Sequence, residues 1–270
     1  GYLGGGLLFA VNVLMTLHPD WFGLDDKSQA VRLAFVMVAL WWGLFSIPMF
    51  MWVKGRQPEP DPLGQAARSG WQQLRETLRD IRDIRPVWMF LLAYWLYIDG
   101  VDTIIHMAVD FGAALGFSTD ALISALLLTQ FIGFPAAIIF GRLGERWGTL
   151  KGIYLALGGY VAITIWGFFL QSEAQFYAMA ASIGLVQGGI QSLSRAYFAR
   201  IIPPDKAAEF FGFYNMMGKF AAVIGPLLVG WTAAISGSNR LSILSILILF
   251  VLGGLILARA HVEASAKSDT

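Results

Sequence analysis

The 270 residues predict an all-α, polytopic membrane protein, a bundle of about eight transmembrane helices. Three observations carry that expectation. First, 57% of the residues are hydrophobic and 14% charged, whereas a soluble domain carries about 25% charged residues. Mean hydropathy is +0.62. Second, apolar runs long enough for the ~20 residues that a bilayer requires recur along the chain. Third, Lys and Arg gather on every second connection between those runs.

Residues 2–17 form a short apolar run, followed by a polar stretch with Asp20, Asp25 and Asp26. Residues 31–53 (VRLAFVMVALWWGLFSIPMFMWV) are a full span. Segment 54–86 is the least apolar part. It opens with KGRQPEPDPLG, where the prolines exclude regular structure, and continues as WQQLRETLRDIRDIR. There Trp71, Leu74, Leu78 and Ile81 recur at helical spacing, with Arg75, Glu76, Arg79, Asp80, Arg82 and Asp83 elsewhere. This reads as an amphipathic helix lying on the membrane face or on the protein, with a solvated charged linker helix as the alternative. Six spans follow, at 87–112, 119–140, 150–170, 174–195, 209–235 and 241–259. Connections 116–120, 171–175 and 236–240 carry few charges. The alternate ones carry Arg142, Arg146 and Lys151, then Arg195, Arg200 and Lys206, and the tail holds Arg259, His261 and Lys267. The positive-inside rule places these basic connections and segment 54–86 in the cytoplasm, with both chain ends.

Composition also removes function classes. With no cysteine, disulfides, thiol catalysis and thiolate metal sites are excluded. Net charge is +1 and the bases lie in loops, so nucleic acid is not an expected partner. A nucleophile elbow, a zinc helix motif and a phosphate loop are all missing, and His18, His106 and His261 are too scattered for a metal site. The expectation is therefore no enzyme and no cofactor. The chain starts at Gly1 within an apolar run, without initiator Met or signal peptide, so an N-terminal part is expected to be missing.

Between two long runs stands Gly141-Arg-Leu-Gly-Glu-Arg-Trp-Gly148, with Lys151 just beyond. Glycine, three residues, an acid, a base, one residue, glycine and a later base resemble the loop signature of the major facilitator superfamily of transporters. Here Gly141, Glu145, Arg146, Gly148 and Lys151 hold its positions as a gating loop. Two glycines permit a tight hairpin, and the bases hold it on the cytoplasmic side. The resemblance implies that the loop docks on the start of the chain, Gly1 to Gly6, with Glu145 near free N–H groups there.

Ionisable and amide side chains mid-bilayer are costly and mark a pathway or a pair. Spans 31–53, 150–170 and 241–259 have almost none. The others carry Asn12; Gln130; Gln187 and Gln191 one turn apart; Asn215 and Lys219 one turn apart; and Asp99, Asp102, His106 and Asp110 on one face of span 87–112. Every third span is thus apolar and expected at the periphery, with the polar ones lining a shared interior. That period is the three-helix repeat of a major-facilitator-type bundle. Asp110 belongs at the outer water boundary; Asp99 lies midway along its span. Counted along their spans, Asp99 and Lys219 lie about 18 and 15 Å deep, so Lys219 is expected to pair with Asp99 or Asp102 when the cavity is empty.

YIDGVDTIIHMA (97–108), FGAALGF (111–117), TQFIGFPAA (129–137), GLVQGGIQSLSRAYFARIIPP (184–204) and FFGFYNMMGKFAAVIGP (210–226) look like one branch of that superfamily, the fungal autophagy-related vacuolar amino-acid effluxers and their bacterial relatives. The resemblance covers nearly the whole chain. It implies a twelve-span protein of which this chain supplies spans five to twelve: residues 1–53 as the last two spans of an N-terminal bundle, 54–86 as a cytoplasmic linker, 87–260 as a C-terminal six-span bundle and 261–270 as a tail. It implies secondary transport of a small solute: neutral amino acids are what the fungal members are held to export, and for bacterial members the substrate is left open. Protons are a candidate coupling partner, and the short connections point to a bacterial inner membrane. The substrate and coupling residues expected are Asp99, Asp102, His106, Gln130, Gln187, Gln191, Asn215 and Lys219. A transport-inactive receptor or scaffold of the same fold is the alternative.

Gly184 and Gly188 have the small-xxx-small spacing of closely packed helices, with Gln187 and Gln191 on a neighbouring face. In the complete protein, Gln187→Ala is expected to raise the apparent KM with little loss of folded protein. Parallel loss of expression and transport would instead make these amides helix-joining groups.

Overall fold

The structure, a computed structural model, describes residues 2–53 and 63–268, and the side chains of 4–53 and 68–262. The proline-rich stretch 54–62 and Gly1 lie outside the described residues. Among the described residues there are helices and turns and no strand. The chain divides into two compact units, Gly1–Leu74 and Arg75–Thr270.

In the first unit, helix α1 (Tyr2–Leu17) packs on α2 (Lys27–Trp52) after a 3-10 turn at Pro19–Phe22. The Asp26 carboxylate caps α2 by accepting from the Gln29 N–H at 2.7 Å, satisfying an amide that the helix start leaves free. Phe35, Trp42, Phe50 and Trp52 of α2 are all exposed. A helix apolar all round belongs in hydrocarbon.

The unit boundary falls within α3 (Leu63–Asp83). Trp71 is exposed, whereas Ile81 is fully buried in the second unit. The last turns of α3 are bound to that unit by two side-chain contacts. The Thr77 hydroxyl donates to the Glu209 carboxylate at 3.1 Å, and the Lys206 ammonium meets Asp80 at 2.5 Å. Of the two surfaces expected for this amphipathic helix, its C-terminal part occupies the protein.

The second unit continues with α4 (Arg85–Ala114), α5 (Thr119–Trp147), α6 (Thr149–Phe168), α7 (Glu173–Ile201), α8 (Ala207–Lys219), α9 (Ile224–Ser236), α10 (Asn239–Leu244) and α11 (Leu247–Ser268). Residues of the expected tail as far as Ser268 thus continue α11. The most extensive packing is of α5 on α7, α4 on α11 and α6 on α7. The α5–α7 approach passes through Gly184 and Gly188, where a Cβ would stand 2.7 Å and 2.8 Å from the Thr129 and Gly133 carbonyl oxygens.

Serine starts three of the helices. Ser118, Ser172 and Ser238 cap α5, α7 and α10 by accepting from Ala121, Gln175 and Leu241 N–H groups. These connections share one end of the bundle. The Ser118 N–H donates to Glu173 at 2.7 Å, and Arg240 donates to the Phe168 carbonyl at 3.1 Å. The Ser118 amide holds the Glu173 carboxyl below the usual carboxylate range. This tie is therefore complete above that range and is lost as pH falls through the lowered value.

The eight expected runs are helical, except that 209–235 is interrupted at 220–223 and 241–259 at 245–246, and six helical segments are long and apolar enough to cross a membrane. The segment 2–17 is shorter, and α7, with its glycines, glutamines and serines, is less apolar. One expectation needs correction. Residues 141–147 are not a loop: they are the last two turns of α5, and Gly148 alone reverses the chain, at φ 95°. One residue outside the helical region suffices because it serves both as C-cap of α5 and N-cap of α6. α6 buries Ile153, Ala156, Leu157, Tyr160 and Ile163 on one face, and its other face, with Leu155 and Ile165, is exposed.

Gly148→Ala is expected to lower stability by about 1–3 kcal/mol, the cost of a side chain in a region that only glycine adopts readily. Gly141→Ala, in a helix with open space around it, is expected to be neutral or stabilising. Thermal unfolding of the complete protein in detergent checks the pair.

Candidate functional site

The expected span 209–235 is two helices. α8 ends at Lys219, α9 begins at Ile224, and the chain between them is not helical. Pro226 explains the position: a proline ring clashes with the carbonyl four residues earlier, at Ala222, and so ends the helix before it. A break at membrane depth exposes backbone groups that hydrocarbon cannot satisfy. Here α4 satisfies them. The Trp95 indole Nε1–H donates to the Phe220 carbonyl at 3.2 Å. Four residues on, the Asp99 carboxylate accepts from Ile224 N–H through Oδ2 and from Gly225 N–H through Oδ1, both at 2.9 Å. Four further on, the Thr103 hydroxyl donates to Asp99 Oδ1 at 3.3 Å. Trp95, Asp99 and Thr103 thus form a stripe on one face of α4, clasping both ends of the break.

Asp99 and Thr103 are fully buried. α9 has no side-chain cap of its own; Asp99 supplies one from another helix, with its negative charge at the positive end of the α9 dipole. The fit requires glycine at 225. A Cβ there would overlap the Thr103 hydroxyl and stand 2.9 Å from Asp99 Oδ1.

Beside the clasp lies an aromatic cluster built by α4, α7 and α8. The Tyr94 ring stacks on Tyr214 at 4.2 Å between centroids and meets Tyr97 edge-on at 5.6 Å. The hydroxyls of Tyr97 and Ser194 share a 2.7 Å hydrogen bond. Phe198 stacks on Tyr214, and the Arg195 guanidinium lies 5.0 Å over Phe211. The cluster fixes the face of α8 against α4 up to the break.

The sequence-selected residues divide by position. Along α4, Asp102 is half-buried, while His106 and Asp110 are exposed. His106 Nδ1 lies 2.7 Å from the Asp102 carbonyl oxygen. Lys219 and Asn215 of α8 are exposed, as is Gln191 of α7; Gln130 is half-buried. The Gln187 Oε1 is buried without a hydrogen-bond partner among the described residues. In the first unit, Asn12 borders an open groove of about 540 Å³ lined also by Gly4, Trp41, Trp42 and Ser46. Of the gating-loop residues, Glu145 and Arg146 are exposed in the last turn of α5 and Lys151 is exposed in the first turn of α6. Among the described residues, no group of three or more His, Asp or Glu is placed to hold a metal ion.

The expected pairing of Lys219 with Asp99 is not formed. Depth counting treated 209–235 as one continuous helix, but α8 ends at Lys219, and what reaches Asp99 is the free backbone of α9. Both carboxylate oxygens accept from backbone amides, while Lys219 is an exposed residue. Asp102 is the acid that remains within electrostatic reach of Lys219. Trp95 and the break itself escaped sequence reading, although Gly225-Pro226 inside an apolar run was a usable signal.

The whole chain, residues 1–269, matches the family model described as "Vacuole effluxer Atg22 like". The chain belongs to this Atg22-like family. The uncharacterized MFS-type transporter YxiO of Bacillus subtilis (strain 168) is 38% identical over 98% of this chain and 62% of its own length. Autophagy-related protein 22-1 of Aspergillus niger is 29% identical over 93% of this chain and 44% of its own. Autophagy-related protein 22 of Yarrowia lipolytica is 28% identical over 85% and 43%. The chain therefore spans less than two thirds of these relatives. Relatives and family carry transporter and effluxer names, not enzyme names, in keeping with an integral, multi-pass membrane protein.

Removing parts of the clasp is expected to cost stability in a fixed order. Trp95→Phe loses one hydrogen bond, about 0.5–1.5 kcal/mol. Asp99→Ala strands two buried amides, each worth about 1–3 kcal/mol. Gly225→Ala forces α9 off α4, at about 1–3 kcal/mol. Thermal unfolding of the complete protein should rank Asp99→Ala as the most damaging of the three.

Proposed function

We propose that the protein to which this chain belongs is a secondary transporter working by alternating access, and that it moves a small zwitterion of the neutral amino-acid class with protons as coupling ion. The observation that carries this reading is the broken helix α8–α9 held by α4. Backbone free of regular structure at membrane depth is tolerated where it is buried in protein or lines a cavity, and broken helices are a recurrent feature of transporter binding sites. The relatives' names, MFS-type transporter and the Atg22-like vacuole effluxers, agree with it. In this reading residues 1–53 are the last two spans of an N-terminal bundle, 54–86 the linker, 87–260 the C-terminal bundle and 261–270 the tail. The Lys- and Arg-bearing connections face the cytoplasm of a bacterium, as do both chain ends. Gly141, Glu145, Arg146, Gly148 and Lys151 form the cytoplasmic gate.

The solute class follows from charge and from amides. A zwitterion needs a cation for its carboxylate and an anion for its ammonium. Lys219 and Asp102 supply these at the break, one exposed and one half-buried. Gln130, Gln187, Gln191, Asn215 and His106 add neutral donors and acceptors, and Gln187 Oε1 has a buried lone pair to fill.

The test is uptake of labelled neutral amino acids by proteoliposomes holding the complete protein, with and without an imposed pH gradient. Accumulation that a protonophore abolishes is the expected outcome. Asp102→Asn and Lys219→Met are each expected to reduce it at least tenfold while the folded protein survives. Absence of uptake by well-folded protein, at any gradient, would replace transport by a receptor or scaffold role.

A further inference from the structure

Helix α3 is fastened to the protein along one flank and bare along another. Thr77 and Asp80 meet Glu209 and Lys206 at the foot of α8. At that foot, from Pro204, begins a segment long and apolar enough to cross a membrane. α3 itself ends at Asp83, and α4, which is also long and apolar enough to cross, begins at Arg85. Both attachments hold the last turns of α3 at the level where the bundle leaves the membrane for water.

Projected at about 100° per residue, Arg68, Arg75, Arg79 and Arg82 of α3 fall within about 60° of one another. Next to this row runs the apolar stripe of Trp71, Leu74, Leu78 and Ile81, and beyond the stripe comes the docked Thr77. Glu76 and Asp83 lie past the row, on the side away from the stripe. Exposure rises across the stripe toward the arginines: Ile81 is 0% exposed, Leu74 37% and Trp71 63%. The four arginines are exposed, and none forms an ion pair among the described residues. Arg75, Arg79 and Arg82 follow one another at four and three residues, a like-charge sequence that weakens an isolated helix. A surface of negative charge beside the row removes that repulsion.

Hydrocarbon bordered by a layer of anions is the surface of an anionic bilayer. The row is about 21 Å long, enough to follow several headgroups, and a guanidinium matches a phosphate through two parallel hydrogen bonds. Tryptophan settles at the headgroup level with its ring against the acyl chains. We propose that this edge of α3 is a docking surface for anionic phospholipid, with Trp71 and Leu74 against the acyl chains and Arg68, Arg75, Arg79 and Arg82 on the headgroup phosphates. The proposal goes beyond the transport reading and needs only a membrane-spanning protein. Lipid then holds one flank of α3 while the start of α8 holds the other, so the charge of the membrane bears on the bundle through a single helix.

The test uses the complete protein in a background freed of other cysteines. It is reconstituted in vesicles of phosphatidylcholine alone, or of phosphatidylcholine and phosphatidylglycerol in equal parts. A spin label is attached through Leu74→Cys on the stripe or, as a water-side reference, through Glu76→Cys. Its collisions with oxygen, which concentrates in hydrocarbon, are compared with those of an uncharged, water-soluble nickel chelate. In the mixed vesicles the label at 74 is expected to favour oxygen and the label at 76 nickel. In phosphatidylcholine alone, or at high salt, the oxygen-to-nickel ratio at 74 is expected to fall at least about fivefold, the factor that one base contributes at an anionic surface. Arg75→Gln, Arg79→Gln and Arg82→Gln together are expected to give the same fall in the mixed vesicles. The comparison of the two lipids decides the matter if that triple variant fails to fold. A ratio at 74 that is equal in both lipids, or unchanged in a folded triple variant, would overturn the proposal. So would a label at 74 shielded from both reagents, because that marks protein over the stripe, from this chain or from a second copy.

Discussion

Hydrocarbon offers nothing to a free N–H or C=O, and the second unit is arranged around that constraint. A proline at 226 makes a continuous helix from 207 to 236 impossible. The carbonyl at Phe220 and the amides at Ile224 and Gly225 then need partners, and one face of α4 provides all of them. The position of α4 follows from this. Its stripe of Trp95, Asp99 and Thr103 must look toward the break, so its opposite side, at Ala93 and Tyr97, receives Gly253 of α11. The aromatic cluster of Tyr94, Tyr97, Phe198 and Tyr214 fills the space on the α8 side. Clasp, cluster and the α4–α11 contact are three results of one backbone defect.

Much of this was legible in the sequence, for identifiable reasons. Hydropathy and the alternation of basic connections depend only on composition along the chain, and they located all eight helical runs. The midway acid Asp99 stood out because a carboxylate in an apolar span is rare and costly. Gly184 and Gly188 revealed a close helix contact by spacing alone, although the partner helix, α5, became known only from the structure. The family motifs pointed to the helical-bundle fold class, and the family match extends over residues 1–269.

Other features were not legible, because side-chain averages do not register backbone state. A hydropathy window passes over residues 220–223 without a change, since Phe, Ala and Val are as apolar outside a helix as in one. The same blindness made Gly141–Trp147 look like a loop: charge and glycine are frequent in loops, but the helix simply runs on into water. Pairing by depth linked Lys219 to Asp99 because two charges were weighed and two backbone amides were not. Trp95 was not singled out, although its indole N–H is a polar group that needed an acceptor.

The contact of α3 with the base of α8 has a mechanical consequence. α8 is only about 20 Å long, with the break at one end. Just before its other end lies Lys206, held by Asp80, and within its first turn lies Glu209, held by Thr77. A short rod gripped at its foot and held at its head by the clasp is a strut. The last turns of α3 are fastened to the foot of that strut, so a displacement of those turns acts on α8 directly.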